Sequence, residues 1–367
     1  MGESDNRQDI EEIEIIEIIE IIEKIDKKGI YIMEKLKVVM IGAGGRANQV
    51  IYPSFGDLRD EGKIEIVGIC DVDQKRLSST ADKYHIANRY GGGGINDYQK
   101  MIEEQKPDAA VVIGQPHVLF DVWMRCLEQG LHLYIEKPMG LSIHQARSLQ
   151  AVAKRNNCVT QVSLQRRYTP MVMQMRDECL KKSAITHAFC KFYKCEVNKD
   201  FLGARDHMMD DCFHSIDTLR WICGSEVVKV ESMAKRIGTV DINFISATLH
   251  FANGSMGYLI NSWSSGKRIF SVEMHSQGAF AEAEHETKGY LYTDGDVKGI
   301  EYDAQKCAGS DKFHVYTGVY NAAKDFVDCC INKTNEVCYS QPSSCFDDAV
   351  NTMKIAEVIL AQAILGE

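Results

Sequence analysis

From residue 35 onward the apolar and polar positions of the chain fall into two textures. Up to about residue 164 the expected strands are short, at 37–41, 64–70, 109–113, 132–135 and 160–164, and those at 37–41 and 109–113 are apolar runs. Between them lie stretches with helical spacing of apolar positions, at 74–84, 119–129 and 143–156. Strands separated by helices predict a doubly wound parallel sheet. After Arg167 the texture changes: a helix at 171–181 gives way to longer runs in which apolar and polar residues alternate. These occupy 186–197, 227–236, 244–251, 254–264, 269–276 and 279–284. Alternation with period two predicts a large open, mostly antiparallel sheet with one covered face. One helix, 208–222, is embedded in this half, and two more, 319–332 and 344–365, close the chain. The expected fold class is α/β, a parallel sheet domain followed by an α+β domain.

The first 33 residues follow neither pattern. Glu14-Ile15-Ile16, Glu17-Ile18-Ile19 and Glu20-Ile21-Ile22 repeat with period three. A helix needs 3.6, so the isoleucines drift around the axis instead of holding one face. Residues 1–33 therefore read as a low-complexity extension. Lys27-Lys28-Gly29 stands just before Met33, the spacing a ribosome-binding site upstream of a start codon would leave, so Met33 is the expected natural start. The extension carries ten acidic against four basic side chains, a large share of the chain's net charge of −10. No basic stripe follows, which argues against a nucleic-acid partner. No run of about twenty apolar residues exists, which argues against a membrane span. The thirteen cysteines are scattered, odd in number and without a C-x-x-C pair. That usage predicts a reducing, cytoplasmic setting, no disulfide framework and no structural metal.

Candidate chemistry begins where the first strand ends. Gly42-Ala43-Gly44-Gly45-Arg46-Ala47 is G-x-G-x-x-A at a strand-to-helix turn. Gly42 permits the tight turn, Gly44 lets backbone amides reach a pyrophosphate, and small Ala47 lets the helix pack on the strand. Asp71 ends the second strand, where a carboxylate accepts both ribose hydroxyls and repels a 2′-phosphate, favouring NAD over NADP. The expected domains are then a dinucleotide-binding Rossmann domain, 34–164, and a substrate-binding and oligomerisation domain, 165–367. Glu136-Lys137-Pro138 follows another strand end, the edge where open α/β sheets bind ligands, and Pro138 holds Lys137 extended. Asp210 and His214 stand four apart on one helix, so a carboxylate there can orient an imidazole for proton transfer. Asp211 and Asp217 are alternative partners for that imidazole. Gln165-Arg166-Arg167-Tyr168 leaves a strand at the domain junction, either as an ion-pair patch or as a substrate or cofactor contact.

In this order, the glycine turn, Asp71, Glu136-Lys137-Pro138 and the Asp210-x-x-x-His214-x-x-Asp217 helix resemble the Gfo/Idh/MocA oxidoreductases, over essentially all of 35–367. The resemblance implies NAD at the switch point of the first sheet, with its ring facing the second. It implies cofactor contacts at Gly42, Gly44, Gly45, Arg46, Ala47, Asp71, Gln115, Pro116, His117, Glu136, Lys137 and Arg166, and no metal. Lys137 corresponds to the family's characteristic lysine, with Asp210 and His214 as its partners. Two departures leave the substrate open. Phe120 stands where the family often has the histidine of Thr-Pro-x-x-x-His, and Gly203-Ala204-Arg205-Asp206-His207 replaces a glycine-rich lead into the second-domain helix. The implied activity is hydride exchange between NAD and a secondary hydroxyl of a sugar, glycoside or cyclitol, a small-molecule carbohydrate. His214 is its base, oriented by Asp210, and Lys137 bonds the same oxygen. One alternative is a redox-neutral NAD-dependent glycosidase passing through a keto-sugar, with Tyr168, His207 or His314 as the extra base. Another is a non-catalytic regulator that senses NAD or a ligand. The exposed sheet predicts a homo-oligomer.

Overall fold

The computed structural model describes residues 35–94, 96–197, 207–240, 242–334 and 340–365, so the repetitive N-terminal segment lies outside it. The first half alternates strand and helix as its apolar runs require. In chain order it comprises β1 (Leu36–Ile41), a wide π turn (Ala47–Ile51) continuing into α1 (Tyr52–Asp60), β2 (Ile64–Cys70), α2 (Gln74–Tyr84), β3 (Arg89–Tyr90) and α3 (Asp97–Gln105). Then follow β4 (Ala109–Val112), α4 (Pro116–Glu128), β5 (His132–Ile135), α5 (Ile143–Arg155) and β6 (Thr160–Val162). The six strands are parallel in the order β3-β2-β1-β4-β5-β6. The order reverses between β1 and β4, which opens a crevice at their carboxyl ends. Every residue of β4 is buried, as expected of a strand covered on both faces.

A short turn (Gln165–Tyr168) and α6 (Pro170–Lys182) lead into the second half. There β7 (Ile185–Cys195) is followed by a π turn (Met208–Cys212), α7 (Phe213–Cys223), β8 (Val227–Lys235), β9 (Phe244–Phe251) and β10 (Met256–Ser262). Next come β11 (Ser264–Ser276), β12 (Ala279–Glu284), β13 (Lys288–Thr293) and β14 (Ile300–Asp303). The chain closes with α8 (Ala304–Ala308), α9 (Phe313–Tyr316), α10 (Val319–Thr334) and α11 (Phe346–Leu365). These eight strands form one sheet, antiparallel except where β10 runs parallel to β7. Its burial alternates residue by residue, so Ala188, Cys190 and Phe192 on β7 face the helices. The other face carries rings that stack across strands: His187 on His275 at 4.1 Å, His275 on Phe280 at 4.6 Å, and Phe280 on Tyr292 at 5.4 Å. Helix α10 leaves this sheet and packs on the first. Phe326 meets Tyr134 edge-on at 5.7 Å within the core that also holds Val38 and Phe55.

The two halves are joined by a buried ion-pair network. Arg167, on the turn after β6, directs Nε to Asp217 Oδ2 of α7 at 3.1 Å and Nη2 to the other oxygen of that carboxylate. Nη2 also reaches Asp348 Oδ2 of α11 at 2.7 Å, and Arg220 Nη2 binds Asp348 Oδ1 at 3.0 Å. Arg167 and Asp217 are almost wholly excluded from water, so removing either partner strands an unpaired charge. Arg167→Ala is therefore expected to lower unfolding stability by about 3–5 kcal/mol. Denaturant titration of the variant beside the parent measures this directly.

Candidate active site

Each element delivers its functional residues at the crevice because each strand stops there. β1 ends in the glycine turn. Gly42 has φ +98°, and a Cβ on it would lie 2.0 Å from the Ile113 carbonyl oxygen of the neighbouring β4 end. Only glycine fits so close an approach. Around Gly44 and Gly45 a Cβ would meet nothing within 4 Å. These two therefore present bare backbone to open space, and the N–H groups that open the following helix are ones a helix cannot satisfy itself. That is the cradle a pyrophosphate needs. Asp71, 8% exposed at the end of β2, braces the turn: Oδ2 accepts from Ala43 N–H at 2.6 Å and Oδ1 from Asp73 N–H at 2.7 Å.

At the mouth of the crevice lies a cavity of about 370 Å³. The first sheet contributes Arg46, Gln115, Glu136 and Lys137, the turn after β6 contributes Gln165 and Arg166, and the second half contributes Phe192, Lys194, Asp211, His214 and Arg268. Lys137 and His214, predicted from separate segments, thus line one space. Glu136 is buried and links the walls: Oε1 meets Arg46 Nε at 3.4 Å and Oε2 accepts from the Lys137 N–H at 3.3 Å. Gln165, with its amide oriented to suit both neighbours, accepts from Arg46 Nη2 at 3.1 Å and donates to the Ser163 carbonyl at 2.8 Å.

His214 is 6% exposed. Its Nδ1 is buried with no hydrogen-bond partner among the described residues, which leaves Nε2 as the nitrogen open to the cavity. Burial first, then the cations of Lys137, Arg166, Arg46 and Lys194, hold its pKa well below the ordinary 6.5. The imidazole is consequently neutral at physiological pH and can accept a proton. The π turn that opens its helix is clamped from outside. His207 stacks on Trp263 with ring centres 4.4 Å apart, and Trp263 Nε1 donates to Asp211 Oδ2 at 2.8 Å. The same oxygen meets Lys194 Nζ at 2.5 Å.

The structure sorts the remaining expectations. Asp210 lies in the π turn before His214, but its side chain is outside the described residues. The carboxylate that reaches the cavity among the described side chains of this turn is that of Asp211. Gln115 lines the cavity, whereas Pro116 is buried as the first residue of α4, His117 is exposed on that helix, and neither borders this space. Ala47 is buried beneath the glycine turn, as close helix packing requires. Adjacent Arg166 and Arg167 part company: Arg166 lines the cavity and Arg167 enters the buried network. The three residues named as extra bases are occupied elsewhere. Tyr168 Oη donates to Asp325 at 2.7 Å, His314 Nε2 bonds Asp57 at 2.8 Å, and His207 stacks on Trp263. None of them lines the cavity. Lys194 and Arg268 were missed. Lys194 was readable, since it continues the inward phase of Ala188, Cys190 and Phe192, whereas Arg268 lies in a register break between Ser264 and Ile269 that spacing does not reveal. A charge in phase with a covered face is the signal at Lys194.

Because nothing opposes a side chain at Gly44, Gly44→Ala is expected to leave the melting temperature unchanged while weakening NAD binding about tenfold or more. Gly42→Ala is expected to destabilise the fold itself. Thermal melts and fluorescence titration with NADH on the two variants separate these outcomes.

Comparison with known proteins agrees with this geometry. Residues 36–164 match the family model described as an oxidoreductase family, NAD-binding Rossmann fold, and residues 199–279 match the GFO/IDH/MocA C-terminal domain. Among curated relatives, D-glucoside 3-dehydrogenase of Escherichia coli is 26% identical over 53% of this chain and 56% of that protein. Glycosyl hydrolase family 109 protein 2 of Akkermansia muciniphila is 26% identical over 34% of this chain and 27% of that protein. The matched stretches thus span about half or less of these relatives' length. An oxidoreductase from Agrobacterium radiobacter, solved in complex with NAD+, L-tartaric acid and magnesium, superposes with a TM-score of 0.73 at 16% identity, covering 91% of this chain and 98% of that one. A bare-backbone glycine cradle, an acid at the end of β2 and an open sheet facing the crevice agree with both domain matches: the chain belongs to the Gfo/Idh/MocA family of NAD-binding oxidoreductases.

Proposed function

We propose that this protein transfers hydride between NAD and a secondary hydroxyl of a sugar, glycoside or cyclitol. The observation that carries the reading is the meeting of Lys137 and neutral His214 on one cavity beside the glycine cradle. Gly44, Gly45 and Arg46 would hold the pyrophosphate and Asp71 the ribose, and NAD, when bound, supplies the hydride acceptor. The residues of the chain handle the proton. Loss of hydride from carbon is prohibitive unless the hydroxyl proton leaves with it, so a base must touch that oxygen. His214 Nε2 takes the proton. The Lys137 ammonium bonds the same oxygen and favours the developing negative charge, and the cations around the cleft favour proton release. Asp210, one turn before His214, is the carboxylate proposed to orient it. The dehydrogenase relative, which the name of its enzyme places on D-glucosides, supports a carbohydrate substrate. The row of stacked rings on the uncovered sheet face supports pairing between copies of the chain.

A second reading has its own support. Lys194 and Asp211 form a further proton-transfer pair on the cavity wall, and a relative carries a glycosyl hydrolase name. In that reading the same hydride step makes a ketone, a base removes the acidified neighbouring proton, the aglycone leaves, water adds, and hydride returns. Release of aglycone from aryl glycosides without accumulation of NADH is the outcome that selects it.

His214→Asn and Lys137→Ala are each expected to lower turnover by about 10²–10⁴ while leaving NAD affinity nearly unchanged. Stopped-flow NADH formation and a binding titration test the pair, and normal turnover in Lys137→Ala would overturn the assignment. The lowered pKa of His214 fixes a sign for pH dependence. The base form is lost only on acidification below the ordinary imidazole value, so the acid limb of kcat/KM for oxidation lies below pH 6.5. A limb centred above that value would exclude His214 as the base.

A further inference from the structure

The cavity holding Lys137 and His214 shares a wall with a second space of about 350 Å³. Arg46, Gln165, Arg166 and Arg268 border both. The carboxylate answering these arginines in the second space is Glu286, which accepts from Arg166 Nη1 at 3.0 Å and from Arg268 Nη1 and Nη2 at 3.0 and 3.3 Å. Burial alone would raise the Glu286 pKa, yet the two guanidiniums hold it below the usual range. Two guanidinium charges on one carboxylate leave a positive charge uncompensated, while Arg46 has its own carboxylate partner in Glu136.

Arg166 is 5% exposed, and its guanidinium lies 4.5 Å from the centre of the Phe270 ring. Beyond Nη1, neither its Nε nor its Nη2 has an acceptor among the described residues. A buried guanidinium with donors to spare is costly unless an acceptor arrives. Arg268 is brought to the wall by a local break in pairing: β11 loses register against β7 between Ser264 and Ile269, and Arg268 ends that bulge. Bulges re-aim side chains beside binding sites. The cofactor's pyrophosphate has its own donors at the glycine turn, so it does not account for Arg268.

We infer that this arginine wall reads an oxyanion on the substrate: the sugar that offers its hydroxyl to His214 and Lys137 also carries a carboxylate or phosphate, held by Arg166 and Arg268. The inference rests on the hydride-transfer reading and narrows its substrate to acidic sugars. Guanidinium forks suit both oxyanions, because each presents paired oxygens at matching spacing.

The test uses the full-length protein saturated with NAD and three probes: glucose, glucuronate and glucose 6-phosphate. NADH formation gives kcat/KM for each, and calorimetric titration gives binding independently of turnover. At least one anionic probe is expected to exceed glucose by about 10- to 100-fold in both measurements. The carboxylate and phosphate arms show which oxyanion the wall fits. Arg268 is half-exposed, so Arg268→Gln is expected to fold and to lose the margin, and Arg268→Lys to retain part of it. Glucose handled as well as the anionic probes, or a margin that survives Arg268→Gln, overturns the inference. Should no probe be oxidised, hydride transfer to these sugars fails as a reading, and the calorimetry still decides the wall. Tighter anion binding in the parent than in Arg268→Gln upholds it, and equal binding overturns it.

Discussion

The cleft depends on one buried contact, the fork of Arg167 on Asp217. Arg167 sits on the turn that leaves the first sheet, and Asp217 lies three residues beyond His214 on the helix that crosses the second. Holding those two side chains together out of water fixes where His214 stands relative to the carboxyl ends of β1, β4 and β5. Asp348 and Arg220 extend the contact to the last helix, so every charge in the network has a partner. A lone buried charge would oppose folding; the completed set lets it proceed and favours this arrangement over slipped ones.

The neighbouring residues exploit the rigidity. Arg166, one position before the clamp, cannot follow Arg167 into the network and is left facing the cavity with spare donors. His214, one turn before Asp217, is held against the same cavity with no partner at Nδ1 among the described residues. Burial first, and then the surrounding cations, keep the imidazole neutral. One device thus sets both an uncharged imidazole and a cationic field that, in the proposed reaction, favours negative charge on the substrate oxygen. The same cations disfavour the imidazolium that proton transfer would form, so in the proposed reaction the two effects partly offset.

The first sheet supplies the complementary constraint. Gly42 lies so close to the Ile113 carbonyl that no side chain is possible there, and Asp71 ties the turn to the end of β2. The turn is therefore preformed, with Gly44 and Gly45 bare toward open space. The glycine cradle and the proposed proton acceptor are set by separate elements, a strand end of the first sheet and helix α7 of the second half, and they converge on one cavity.

Much of this was legible in the order of residues. Strands alternating with helices in one half and residue-by-residue apolar alternation in the other let the parallel and antiparallel sheets be told apart. The glycine turn, Asp71 and Lys137 were readable because each is a local event at a strand end. Short elements escaped: α3 has Tyr98, Met101 and Ile102 as its apolar positions, β13 gains its order from pairing with β12, and β14 from pairing with β13. What spacing could not decide was which side chains would meet across the cleft. The i,i+4 rule assumes an α-helix, whereas residues 208–212 form a wider π turn, and there Asp211 reaches the cavity through Trp263 and Lys194, partners remote in sequence. Likewise nothing local distinguishes Arg166 from Arg167; their partners lie more than a hundred residues and about fifty residues away, on Glu286 and Asp217. Local patterns determine strands, turns and candidate groups because they depend on neighbours along the chain. The wiring of charge through the cleft belongs to the tertiary structure, since burial and distant partners set it.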